Sequence, residues 1–402
     1  MHAIRKVTED IIWVGANDRR LALFENLFPI PYGVSYNAYV ILDEKTALMD
    51  TADESVLPLF VENVQHALNG RALDYIVVDH MEPDHCAGII RMMELYPESK
   101  VVGNAKTFTF LEQMYDTTVP AERRVLVKEG DTLSLGKHEL QFVFAPMVHW
   151  PEVMFSYDKT SGILFSADAF GTFGTLDGNL FDDDVVFDAC WLEEARRYYT
   201  NIVGKYGPQV QAALKKAGGI DIKMLAPLHG PVWHNNLAFL LDKYQHWSTY
   251  TPENPDSVAI FYGSMYANTE AMCEALAVML GERGVKNIRM YDVSKTDKSY
   301  LIAEAFRCGY LVFAAPTYNN GLYPKMKEFI EDMHALNMQN RKVSVIGNGT
   351  WAPQSDKLMR ELLSGMKGMD IAEKGLVVRS RLAEANMQSL CEIADDIKAR
   401  LS

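Results

Sequence analysis

Residues 75–88 read Y-I-V-V-D-H-M-E-P-D-H-C-A-G, an apolar β-type run that breaks directly into a loop carrying His80, Glu82, Asp84 and His85. Four candidate metal ligands fall within six positions. On an extended or turning backbone, residues 80, 82 and 84 can point toward a common centre, and His85 at a helix start can turn back to join them. A loop holding two carboxylates and two imidazoles is costly to fold without a cation, because like charges repel and burial penalises each of them. The pattern therefore predicts a metal-binding loop at the end of a buried strand.

Outward from this loop, strand candidates follow one another closely: Ile11–Gly15, Tyr36–Leu42, Thr46–Asp50, Val101–Val102, Glu139–Phe144 and Gly162–Ser166. Helical spacing of apolar residues marks 54–68, 87–95, 192–203, 210–216 and 237–246. Strand pairs with intervening helices predict a layered αβ sandwich. Three further candidate ligands end strands or open loops at the same kind of edge: His149 after L-Q-F-V-F, Asp168 after I-L-F-S-A, and His229 in A-P-L-H-G-P. A lone histidine is more often a hydrogen-bonded structural residue than a ligand. The crowded loop is what makes metal binding the better reading for the set.

The order H-x-E-x-D-H, then His149, Asp168 and His229, resembles the metal signature of the flavodiiron proteins (A-type flavoproteins), relatives of the metallo-β-lactamase superfamily. Hydrolases of that superfamily usually carry histidine where this chain has Glu82, and a carboxylate there makes a harder, more anionic site that suits iron better than zinc. The resemblance implies that the layered sandwich is an αββα sandwich, with His80, Glu82 and His149 on one iron, Asp84, His85 and His229 on the other, and Asp168 between them. His85 is the ligand most open to replacement by solvent.

The polar segment Ser248–Asp256, with two prolines, reads as a linker, giving expected domains at 1–250 and 251–402. Nine of the ten histidines precede it. After it, strand candidates Val258–Tyr262, Ile288–Asp292, Tyr310–Ala314, Val343–Gly347 and Gly375–Val378 alternate with helical stretches, predicting a doubly wound five-stranded parallel sheet whose ligand sits beyond the strand carboxyl ends. The overall class is thus α/β and α+β.

Three loops mark that edge. The first, Gly263–Thr269, offers Ser264, Met265, Tyr266, Ala267, Asn268 and Thr269 around a helix start, where backbone N–H groups and hydroxyls can hold a phosphate without lysine. The second brings Pro316, Thr317, Tyr318 and Asn319, and the third Asn348, Gly349, Thr350 and Trp351. Tyr318 and Trp351 can flank an isoalloxazine ring. Together the loops resemble the phosphate loop and two ring loops of flavodoxin, and no G-x-G-x-x-G fingerprint competes. FMN, with its single terminal phosphate, fits better than FAD or NAD.

The 402 residues, 48% hydrophobic, suffice for two domains. A net charge of −14 argues against a nucleic-acid partner, and no apolar run approaches the roughly 18 residues of a membrane span. Met1–Asp10 lacks a secretory core, so the expected address is cytoplasmic. Five scattered cysteines form no C-x-x-C pair, so no iron–sulfur or rubredoxin-type centre is expected in the chain.

What the resemblance implies for function is an oxidoreductase that reduces O2 to water, NO to N2O, or both, at a non-haem diiron centre fed by FMN. It also implies a separate rubredoxin-like electron donor and a head-to-tail homodimer or dimer of dimers. The alternatives are a zinc-dependent hydrolase with a flavodoxin-like accessory domain and a flavin electron carrier on a metal-free scaffold. Tyr198 and Tyr199 are pocket candidates, although a helix-face aromatic pair is more often core.

Overall fold

The computed structural model describes residues 2–401; Met1 and Ser402, the outer bounds of the expected domains, lie outside the described residues. The fold divides into two compact units, Met1–Tyr199 with Pro208–Tyr244, and Thr200–Gly207 with Gln245–Ser402.

In the first unit, strands Arg5–Lys6, Ile11–Trp13, Tyr39–Leu42, Thr46–Met49, Tyr75–Val77, Lys100–Gly103 and Arg124–Leu126 form one sheet in that order. Pairing is antiparallel up to Thr46–Met49 and parallel beyond it. A second sheet runs Thr132–Ser134, Glu139–Phe144, Met154–Asp158, Ile163–Phe165, Met224–Ala226. Ile11, Tyr39, Val77 and Val102 from the first sheet share one buried cluster with Leu140, Phe142, Met154 and Phe165 from the second. That shared core is what stacks the sheets face to face. Helices flank them. The Leu57–Leu68 helix buries Phe60, Val64, Ala67 and Leu68 at helical spacing, and it stops where Asn69 and Gly70 enter the left-handed region.

Two expected elements come out differently. The run Tyr36–Leu42 splits into Val34–Tyr36, which pairs with Ala16–Asp18, and Tyr39–Leu42. The break falls at Asn37, whose amide donates to the carbonyls of Pro227 at 2.9 Å and Gly230 at 2.8 Å while accepting from Trp13 Nε1 at 2.9 Å. The helix expected over 192–203 is α-helical only to Tyr198, then widens through Tyr199–Val203.

In the second unit the parallel strands run Ile288–Asp292, Asn254–Tyr262, Cys308–Tyr318, Lys342–Asn348, and then Asp370–Ile371 with Leu376–Val378. The fifth position is therefore interrupted. Ile260 faces the cluster of Met272, Leu276 and Ile393, whereas its neighbour Phe261 faces Phe313, Phe329 and Met359, so helices cover both faces. The expected linker is not loose. Tyr250 is buried, its hydroxyl donates to the Lys205 carbonyl at 3.1 Å, and its own carbonyl accepts from the fully buried Arg341 at 2.7 Å.

Candidate metal and flavin sites

Two buried carboxylates from other segments grip the backbone of the metal loop. Asp50 accepts from the N–H groups of Asp79 at 2.8 Å and His80 at 3.2 Å, and Glu152 Oε1 accepts from Met81 N–H at 2.9 Å. Pro83 then starts the short Pro83–Cys86 helix, its missing N–H costing nothing at a first helical position, and this turn carries Asp84 and His85. Asp168 follows the Ile163–Phe165 strand. His229 sits in the loop that Asn37 clamps, with its Nδ1 donating to the Ser35 carbonyl at 2.7 Å. Gly230 is required there: at φ +77, a Cβ would lie 2.1 Å from Thr172 Cγ2.

All seven sequence-derived candidates converge, in two groups. His80, Glu82, His149 and Asp168 offer ligand atoms within 4.8 Å of one another, as do Asp84, His85 and His229. Asp168 touches both. Its Oδ2 lies 3.4 Å from His80 Nε2 and 3.1 Å from His149 Nε2, while Oδ1 lies 3.2 Å from His85 Nε2 and 3.7 Å from His229 Nε2. Glu82 Oε2 is 3.2 Å from His80 Nε2 and 3.0 Å from His149 Nε2.

This donor set fits a pair of cations. His85 Nε2 and His229 Nε2 face each other at 3.0 Å, and Asp84 Oδ2 is 3.4 Å from each. Among the described residues, both carboxylate oxygens of Asp84, and Oδ1 of Asp168, are buried without a hydrogen-bond partner, a cost a protein bears where something else satisfies them. Burial works against ionisation of Asp168, yet the charges of His80 and His85 outweigh it and hold the carboxyl well below the usual range. Burial likewise opposes a charged His149, but Asp168 and Glu82 push it up to about 9. The carboxylates thus demand positive charge at the positions a metal takes.

The backing of the imidazoles is unequal. His80 Nδ1 bonds Glu152 Oε1 at 2.9 Å, which directs Nε2 inward, whereas His85 Nδ1 has no partner. Aromatic walls close the space: Trp150 stands 5.5 Å from His80, and Phe24 lies 5.5 Å and Tyr198 5.4 Å from His229, centroid to centroid. The buried Tyr198 hydroxyl has no partner among the described residues, while Tyr199 packs on Tyr244 at 5.0 Å. Trp150, Phe24 and Glu25, whose carboxyl is pushed up to about 8 by burial and by neighbouring Glu82, carry no sequence signal. Another acidic group, Asp182, Asp183 and His234, spends the Asp182 carboxylate on the N–H groups of His234, Asn235 and Asn236.

In the second unit the three loops surround a cavity of about 290 Å³. Ser264, Met265, Tyr266, Asn268 and Thr269 line it from the first loop, Pro316, Thr317, Tyr318 and Asn319 from the second, and Asn348, Gly349, Thr350 and Trp351 from the third. Ala267 does not line it; at φ +61 it caps the backbone of the Asn268–Glu282 helix, which has no side-chain cap. An uncapped helix start beside two hydroxyls suits a phosphate. Trp351 and Tyr266 are 65% and 85% exposed, apolar surface that a planar ring would cover. Gly349 lets the third loop close, since a Cβ there would meet Pro353 Cα at 3.1 Å. Asn320 and Ser380 also line the cavity and were not foreseen.

A family model described as ODP family beta lactamase matches residues 34–230, and one described as flavodoxin matches residues 260–393. The chain is 30% identical to a nitric oxide reductase of Moorella thermoacetica, over 98% of each protein. It is 28% identical to rubredoxin oxygen:oxidoreductase from Desulfovibrio gigas, whose structure matches 99% of this chain and 98% of that one with a TM-score of 0.92. The flavodiiron protein from Giardia intestinalis, 23% identical, shares the fold over 100% of this chain and 97% of its own, with a TM-score of 0.92.

Proposed function

The chain belongs to the flavodiiron proteins, and from that premise we propose that it reduces O2 to water, NO to N2O, or both, at a diiron centre in the first unit fed by FMN in the second. The observation that carries the reading is the division of one buried carboxylate, Asp168, between two ligand groups. When bound, two irons and FMN together supply the four electrons that take O2 and four protons to two waters, or the two that take two NO and two protons to N2O and water.

The residues do the rest. His80, Glu82 and His149 would hold one iron, Asp84, His85 and His229 the other, and Asp168 would span them. Three carboxylates bring negative charge that favours the oxidised metal. Trp150 and Phe24 would help to restrict water, and the Tyr198 ring packs on His229 with a buried hydroxyl that keeps its hydrogen bond to give. Around the cavity of the second unit, the uncapped helix start and the Ser264 and Thr269 hydroxyls would take the phosphate, with Tyr318 and Trp351 against the ring.

Glu82 separates this reading from zinc hydrolysis, because a carboxylate in place of histidine hardens the site. Electrons would arrive from rubredoxin or a similar small protein. A head-to-tail homodimer, or a dimer of dimers, would set one subunit's FMN beside the partner's irons, and the cytoplasm is the expected address. Among the described residues no helix is long and apolar enough to cross a membrane.

Purified protein reduced anaerobically and then exposed separately to O2 and to NO should consume at least one gas well above the buffer rate. Equal and negligible rates with both would defeat the enzymatic reading.

A further inference from the structure

Ser380 lies directly beyond the Leu376–Val378 strand and lines the same cavity as the three flavin loops. It stands at φ +68, in the left-handed region that side chains other than glycine and asparagine seldom occupy. Asn348 holds it there. The Ser380 N–H donates to Asn348 Oδ1 at 2.9 Å, and Asn348 Nδ2 donates back to the Ser380 carbonyl at 2.9 Å, a closed two-bond ring. The same Asn348 amide reaches Thr269 Oγ1 at 3.3 Å on the helix that follows the phosphate loop, and its backbone N–H donates to Ser355 Oγ at 3.2 Å. Next to it, Gly349 N–H donates to the Val378 carbonyl at 3.0 Å.

These bonds fix the Ser380 backbone from both sides, and its hydroxyl meets that of Thr350 at the cavity wall. Of two hydroxyls in contact, one donates to the other, so the pair keeps one O–H free for a third group. Phosphate already has the uncapped helix start on the first loop. Thr350 neighbours Trp351 on the third loop, the expected ring side, and its hydroxyl contact brings Ser380 of the following loop to that side.

We propose that the loop after the last strand is a fourth wall of the flavin site, in which Ser380, paired with Thr350 and locked by Asn348, donates a hydrogen bond to the polar edge of the isoalloxazine ring. The proposal rests on reading the second unit as an FMN site. A donor at that edge gains strength as the ring acquires negative charge on reduction, so it favours the reduced flavin.

Ser380→Gly tests this, because glycine suits φ +68 and keeps both backbone bonds to Asn348 while removing the hydroxymethyl group. Full-length protein freed of flavin is titrated with FMN and with riboflavin, followed by flavin fluorescence, and the midpoint potential of the FMN-loaded protein is measured. Both dissociation constants should rise by the same factor, about threefold to tenfold for one lost hydrogen bond, and the potential should become more negative. Ser380→Ala should move all three quantities in the same direction. A loss confined to FMN would assign Ser380 to the phosphate end and overturn the proposal. Unchanged affinities and potential, or a glycine effect that alanine does not reproduce, would overturn it equally. Wild-type protein that binds neither flavin would instead defeat the FMN reading itself.

Discussion

Asp168 is buried with one oxygen turned to each ligand group, so its loss should damage both metal positions at once. Asp168→Asn is expected to reduce bound iron from two per chain to about one or fewer, by elemental analysis, since even outer partners of metal sites typically cost about 10–100-fold in affinity. Tyr198 makes the opposite kind of prediction. Its hydroxyl is unpartnered and fully buried, so Tyr198→Phe removes a desolvation cost and should leave the melting temperature unchanged or higher. Turnover should nevertheless fall by about tenfold or more, the worth of a hydrogen bond to a charged group. A variant that keeps wild-type turnover would show the hydroxyl to be mere packing. At this scale the seven candidate ligands were legible because four crowd one loop and each of the others follows a strand. Phe24 was not, because only the closure of distant strands brings it to its site; Trp150 adjoins His149 and Ser380 follows the last strand candidate, but a single aromatic or hydroxyl residue there forms no pattern that singles it out.

Among elements, strand ends are tied by side chains that no periodicity announces. His138, beside the Glu139–Phe144 strand, is an example. Its Nδ1 lies 2.7 Å from Asp158 and its Nε2 3.0 Å from Asp10, and these carboxylates push the imidazole up to about 9 against the opposing effect of burial. Because the folded value exceeds the unfolded one of about 6.5, the stabilisation is complete below about pH 6.5 and disappears as pH rises through about 9. His138→Gln should therefore lower unfolding stability by about 1–2 kcal/mol at pH 6, with the difference from wild type vanishing near pH 10. A difference independent of pH in denaturant titrations would refute the ion-pair account. The alternating β–α rhythm of the second unit was readable from residue 258 onward because both sheet faces are covered and the central strands, ending at Tyr262 and Tyr318, carry long buried apolar runs. In the first unit, Met154–Asp158 and Met224–Ala226 escaped notice. Both are buried wholly or nearly so, without the polar alternation that marks a half-exposed strand.

For the whole molecule, two chemistries are assigned to two units with separate cores. The polar stretch after Trp247 is where the sequence suggests a division, whereas the second compact unit takes up the chain from Gln245 and also holds Thr200–Gly207; composition hides how firmly Tyr250 and Arg341 fasten that stretch into the second unit, since one buried aromatic and one buried cation weigh little in a polar window. Separate cores predict separate cofactor retention. Removing iron with a chelator under reducing conditions should leave the flavin absorption band and the FMN content unchanged, and parallel loss of flavin would contradict independent sites. That seven side chains of the first unit hold two irons is a proposal open to measurement. Its most direct test is elemental analysis of protein produced with ample iron and zinc together. Two irons per chain, with zinc at trace level, is the predicted result; two zincs per chain, or no stoichiometric metal at all, would contradict it.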